Sequence, residues 1–152
     1  MDRQRILEKL PVLAGLSQDE IGAISQLCQD RKYQANEVVF TESSRGEEIY
    51  ILKKGKVRID FRVGGEKDSA TVHRLTQGHV FGELALVDNR RRSATATCES
   101  DCEVIAISRE GLYDLFETDS HIGYMLMKNL AMVLANRLRK TNLQLVATIL
   151  WE

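Results

Sequence analysis

The spacing of apolar residues divides the chain into three regimes. Near the N-terminus, Ile6, Leu7 and Leu10 fall at helical spacing. The tetrad Ser17-Gln18-Asp19-Glu20 is a capping box that opens a second helix, with Ile21, Ile24, Leu27 and Cys28 expected on its buried face. From about Val38 to Ile107 the period drops to two. Val57, Ile59, Phe61 and Val63 alternate with Arg58, Asp60 and Arg62, the signature of a half-buried strand. Ala94, Ala96 and Cys98 alternate with Thr95 and Thr97 in the same way. Residues 38–40, 49–52, 71–75 and 104–107 supply further short strands, and Gly64-Gly65 marks a hairpin loop. Short strands between Gly, Ser and charged turns predict an antiparallel sandwich or barrel.

The last third is helical. Ser108 is placed to cap a short helix burying Leu112, Leu115 and Phe116. Asp119 or Ser120 then starts a helix to about Thr148, about 40 Å long at its rise per residue. Met127, Leu130, Leu134, Leu138, Thr141, Leu145 and Ile149 form one stripe, which Ile122, Met125, Leu126 and Val133 broaden. So wide an apolar face needs cover on two sides. A small barrel covers one, so pairing with a second copy along this helix is expected. The alternative is that the barrel covers the first half and the end frays. The fold class predicted is mainly β with flanking helices. It is an antiparallel jelly-roll barrel over about residues 31–107, with short N-terminal helices and C-terminal helices over about 108–149, all in one domain of residues 1–152.

Composition narrows the function. A chain of 152 residues suits one domain. Its net charge of −1 gives no electrostatic case for general attraction to nucleic acid or anionic lipid. No stretch approaches the 18 apolar residues that a membrane helix needs, and the stretch Leu10 to Leu16 contains Pro11 and is too short for a signal segment. Three cysteines, an odd number, argue against a disulfide framework. Cys98 and Cys102 lack a histidine or a second cysteine pair beside them and read as reduced structural thiols. The chain is therefore expected in the cytoplasm, away from membranes. Of its three histidines, His73, His79 and His121, the last lies on a predicted helix, and no H-x-H pair or nucleophile–base set emerges. Neither an enzyme, a metal site nor a bound cofactor is expected.

The chemistry concentrates in residues 81–96, FGELALVDNRRRSATA. Residues 83–87 can form about one helical turn whose first N–H groups face an anion. Gly82 lacks the Cβ that would keep a ligand off the backbone. Arg92 offers a two-pronged charged donor to phosphate oxygens. It belongs to the run Arg90-Arg91-Arg92, whose first two members read as solvated. Glu83 repels phosphate, and its natural partner is a hydroxyl such as a ribose 2′-OH. Together these residues suit a nucleotide monophosphate.

This segment resembles the phosphate-binding cassette of the cyclic nucleotide-binding domain family. The likeness extends to Gly46, Tyr50 and Gly55 in GEEIYILKKGKV and to Gly78 ahead of Phe81, and it spans about Leu10 to Leu145. It departs at Asn89 and Arg91, where the family often has Gly and Pro, and at Ser43, where a glycine is common. The resemblance implies that Glu83 binds the ribose 2′-OH and Arg92 the exocyclic phosphate oxygens. It also implies that the amides of Gly82, Leu84 and Ala85 meet phosphate, and that Ser93 adds a hydrogen bond. Val72 and Leu75 are implied to pack on the base, with Thr141 and Asn142 hydrogen-bonding it, partly across a dimer. The ligand implied is cAMP, or else cGMP, with cAMP favoured because Ser93 stands where cGMP-selective relatives often carry threonine. The resemblance implies a sensor that signals through its C-terminal helix to an effector protein the sequence does not identify. The chain runs only to the end of that helix, so no helix-turn-helix domain, and no nucleic-acid binding by the chain itself, is expected. The rival reading is an interaction module of the same fold that binds no nucleotide.

Overall fold

The computed structural model describes residues 3–64 and 68–151. Gly65 of the expected hairpin lies outside these residues; Gly64 is described, with φ +68°. Two helices come first, α1 (Arg3–Glu8) and α2 (Gln18–Leu27), with a 3-10 turn at Pro11–Leu13 between them. The capping box at α2 is formed: Ser17 Oγ accepts from Glu20 N–H, and the Glu20 carboxylate accepts from Ser17 N–H.

Eight strands follow, interrupted by one helical turn. They are β1 (Cys28–Tyr33), β2 (Val38–Phe40), β3 (Glu48–Lys54), β4 (Val57–Arg62), β5 (Ser69–Leu75), β6 (Val80–Phe81), β7 (Thr95–Cys98) and β8 (Cys102–Ser108). The turn, α3 (Leu84–Val87), sits between β6 and β7. Cys28 opens β1 rather than completing the buried face of α2. The strands form two antiparallel four-stranded sheets, ordered β1-β8-β3-β6 and β2-β7-β4-β5, which is the jelly-roll arrangement expected.

The runs Ile49–Leu52 and Val104–Ile107 are continuously apolar because β3 and β8 are buried on both faces. Ile49, Ile51, Ile105 and Ile107 pack under the helices, with Leu7, Ile24, Leu112 and Leu126. Their alternates Tyr50, Leu52, Val104 and Ala106 face the interior between the sheets, with Val57 and Ala96. Beyond buried Val57 and Leu75, β4 and β5 at the other edge are half-buried or exposed, which leaves room for the polar residues that alternate along β4.

Ser108 caps α4 (Arg109–Thr118) through a bond from Gly111 N–H, and Asp119 caps α5 (Ser120–Leu150) through one from Ile122 N–H. The 31 residues of α5 span about 46 Å. Only its first half is covered. Ile122, Leu126, Asn129 and Leu130 are buried, whereas Leu138, Leu145 and Ile149 are 61%, 58% and 60% exposed. None of the described helices is long and apolar enough to cross a membrane.

One buried polar group fixes the covered half. Asn129 Nδ2 donates to the carbonyls of Val12 (3.0 Å) and Ala14 (2.8 Å), tying α5 to the turn between α1 and α2. Asn129→Ala leaves both acceptors unsatisfied. Urea denaturation should show a loss of about 1–3 kcal/mol; a loss below about 0.5 kcal/mol would show that water replaces the amide there.

Candidate functional site

The loop from β6 to β7 carries the candidate residues, and its conformation is set by Arg92. The Arg92 backbone is clamped on both sides: its N–H donates to Ser44 O (2.7 Å), and Ser43 N–H donates to its carbonyl (2.8 Å). Ser43 takes φ +71° there, a left-handed conformation that favours glycine. The Arg92 side chain turns inward and the residue is 8% exposed. Its Nη1 donates to Gly82 O (2.9 Å) and its Nη2 to Glu48 O (2.6 Å). Nε is enclosed and has no hydrogen-bond partner among the described residues. The guanidinium carbon lies 4.2 Å from the centre of the Phe40 ring and 5.6 Å from that of Tyr50.

A buried charge is costly unless it is paired. Burial accordingly pulls the Arg92 pKa below the ordinary arginine value, with Tyr50 and Glu48 opposing it. Yet no carboxylate of the described residues bonds this guanidinium. The Glu48 carboxylate is held by Arg31 through two bonds of 2.7 and 2.5 Å, which keep it below the usual carboxylate range. The Glu83 carboxylate, 5% exposed as a residue, is held by Arg137 of α5, whose Nη2 also donates to Val80 O (3.3 Å). Two nearby acids are thus taken by other arginines, and Arg92 keeps an unanswered positive charge.

Glycines make this possible. Gly82 has φ +71°, and a Cβ there would stand 2.7 Å from Arg92 Nη1, 3.2 Å from Tyr50 and 3.3 Å from Phe40. Its bareness therefore first serves the arginine, not only the approach of a ligand. At Gly46 a Cβ would meet the Ala85 methyl at 2.8 Å. The amides differ from expectation in one respect. Ala85 N–H already donates to Gly82 O at 3.3 Å, whereas those of Glu83 and Leu84 have no hydrogen-bond partner among the described residues. The far end of α3 is also held, since Arg109 Nε donates to Ala85 O (2.7 Å) and Tyr113 Oη to Leu86 O (2.5 Å).

Arg92 borders a cleft of about 600 Å³ between this loop, the β4–β5 edge and α5. Gly82, Glu83, Leu84, Ala85, Ser93, Leu75 and Thr141 also line it. Two expected residues do not. Val72 is 53% exposed, because Ile59 pairs with His73 and Asp60 with Thr71, leaving Val72 as an extra residue in a bulge. Asn142 is exposed and outside the lining, one position round the helix from Thr141. Among the residues that sequence reasoning left without a binding role, Arg137, Phe40, His73, Lys140 and Gln144 border the cleft. Arg137 had a signal: a cation within the apolar stripe, four residues before Thr141. The rim is cationic, with Arg90, Arg91 and Lys140 against Asp88, although the chain carries −1 overall. Such a lining offers cationic donors beside apolar surface.

Comparison with known proteins agrees. Residues 30–119 match the family model described as the cyclic nucleotide-binding domain. The chain is 34% identical to the cyclic AMP receptor protein of Thermus thermophilus, over 89% of this chain and 60% of that protein. It is 28% identical to a Drosophila melanogaster cGMP-dependent protein kinase, over 78% of this chain and 13% of the kinase. The crystal structure of Thermus thermophilus catabolite activator protein superposes with a TM-score of 0.76 at 32% identity, covering 89% of this chain and 61% of that one. The chain thus spans less than two thirds of the length of these relatives. A jelly roll that encloses an arginine bonded by no carboxylate of the described residues, a matching family model over most of the barrel, and relatives of this kind lead to one statement: the chain belongs to the cyclic nucleotide-binding domain family.

Proposed function

We propose that the domain is a non-enzymatic sensor of cyclic AMP in the cytoplasm, signalling through α5. The observation that carries this reading is the Arg92 guanidinium, buried with an orphaned Nε and no carboxylate. A cyclic phosphate supplies the missing charge, with the free amides of Glu83 and Leu84 and the Ser93 hydroxyl beside it. Glu83 takes the ribose hydroxyl, sharing its carboxylate with Arg137. Leu75 contacts the base, and Thr141 hydrogen-bonds its edge. The nucleotide choice rests on Ser93 and on the Thermus relative named for cyclic AMP; the kinase relative named for cGMP makes that nucleotide the control.

Signalling follows from what the loop touches. When phosphate orders residues 82–85, Leu84 and Leu86 shift against α5, and the Glu83–Arg137 pair carries the movement to the helix. The ligand drives this only by binding the closed form better; about 5.5 kcal/mol of difference makes a full switch. The stripe that runs from half-buried Leu134 into the exposed half of α5 has the spacing of a two-stranded coil, with Leu134, Leu138, Thr141 and Leu145 three or four residues apart. A second copy of this chain covers it and brings Asn142 to the neighbouring cleft. An effector protein then reads the altered dimer.

Calorimetric titration of the purified chain should show saturable cyclic AMP binding, tighter than cGMP. Arg92→Leu should weaken it by roughly ten- to hundred-fold; equal affinity in that variant removes Arg92 from the phosphate site. Arg137→Ala should cost about 1–3 kcal/mol of stability, less than a fully buried pair because Arg137 is 40% exposed on its side chain. Adding Glu83→Gln should return part of it, so single-variant losses that simply add would show the pair uncoupled. Sedimentation should give twice the 17.2 kDa protomer mass, and Leu138→Lys with Leu145→Lys should halve it. A parent that sediments as a monomer refutes the pairing.

A further inference from the structure

Phe40 ends β2, a three-residue edge strand, and its ring is only partly buried. It lines the nucleotide cleft on one side and a shallower groove of about 460 Å³ on the other. The ring stacks with Tyr50 at 5.7 Å and with Phe81 at 6.2 Å, and the Arg92 guanidinium lies against it at 4.2 Å. Packing alone accounts for an apolar residue here. It does not account for a flat aromatic face under a cation.

We propose that Phe40 is a positioning residue for the anion site, its ring fixing the plane of the Arg92 guanidinium so that phosphate meets it already oriented. This rests on the cyclic nucleotide reading above. The two carbonyls, Gly82 O and Glu48 O, anchor the Nη tips, which leaves rotation about the line between them open. A ring face removes that freedom. It also stabilises the cation by its quadrupole without accepting any N–H bond. A carboxylate in the same place would neutralise the arginine and occupy the Nε–H that is now unpartnered. The carboxylates of Glu48 and Glu83, whose charges act on Arg92, are held by Arg31 and Arg137. Phe40 thus keeps the charge buried, oriented and unsatisfied, the state that an arriving phosphate rewards most.

The test uses the full chain, with Phe40→Leu, Phe40→Met and Phe40→Tyr, cyclic AMP calorimetry, and the nitrogen-15 spectrum of arginine Nε–H groups. Arg92→Lys assigns the Arg92 signal. In the ligand-free parent and in Phe40→Tyr that signal should be displaced by the ring current, and in Phe40→Leu and Phe40→Met it should return toward the position of a solvated arginine. Affinity for cyclic AMP should fall roughly three- to thirty-fold in the Leu and Met variants and stay within about two-fold in the Tyr variant. Methionine serves if the leucine variant does not fold. Binding in Phe40→Met within two-fold of a parent that binds cyclic AMP overturns the positioning role, and so does an Nε–H signal that does not move. A parent that binds no cyclic nucleotide overturns the functional reading instead, and the ligand-free signal still decides whether the ring holds the guanidinium.

Discussion

A guanidinium enclosed by protein without an acid to answer it is the constraint around which this domain is arranged. Desolvating such a group costs several kcal/mol, so its neighbours must compensate without discharging it. Two backbone carbonyls and an aromatic face do so. Each compensation imposes a sequence requirement elsewhere. The carbonyl of residue 82 is reachable only if that residue has no Cβ. The carbonyl of Glu48 is in place because β3 is pinned between β8 and β6. The backbone of Arg92 is held by residues 43 and 44, and Ser43 accepts a left-handed conformation to do it.

The distribution of acids around this arginine is as informative as the arginine. Glu48 is committed to Arg31 across the first sheet, and its carboxylate also accepts from Tyr50 Oη at 3.2 Å. Burial, followed by that carboxylate, pushes the Tyr50 phenol up to about 12, so it stays neutral and adds no second anion near Arg92. Glu83 is committed to α5. The carbonyls at the end of α3 are committed to Arg109 and Tyr113 of α4. A loop of a dozen residues is therefore tied to both C-terminal helices by named bonds. A change in its conformation must be felt by both, because interfaces of this kind repack between discrete arrangements rather than stretch.

Much of this was legible in the chain. Capping signals at Ser17, Ser108 and Asp119 gave helix starts that the structure keeps, because side-chain caps are local chemistry. The doubly buried strands announced themselves as unbroken apolar runs. β1 did not: CQDRKY shows no apolar alternation, and it is a strand because β8 pairs with it along its length and Arg31 reaches Glu48. Val72 lies outside the cleft lining, and the bulge that carries it is a property of two strands in register, invisible in either alone. Phe40 read as one more strand residue, since nothing in VVF says which side chain will lie under a cation 52 positions later. Glu83 and Arg92 were legible as residue types at a spacing. That Glu83 would already have a partner was not, because Arg137 comes 54 residues further along.

The division of α5 into a covered and an uncovered half now acquires a reason. Leu130 is its last buried residue, and Leu134, Arg137 and Thr141 border the cleft in the next three turns. Leu138 and Leu145 are exposed in the same stretch. The segment that borders the cleft is thus also the start of the segment with exposed leucines. In a dimer formed along this stripe, ligand binding and helix pairing order the same turns. Whichever comes first bears the entropy of that ordering and lowers the cost of the other, and the coupling is necessarily equal in both directions. A helix buried along its whole length by its own barrel would offer no face to a second chain, and one free along its whole length would not border the cleft. The boundary between the two conditions lies at Leu130 to Leu134.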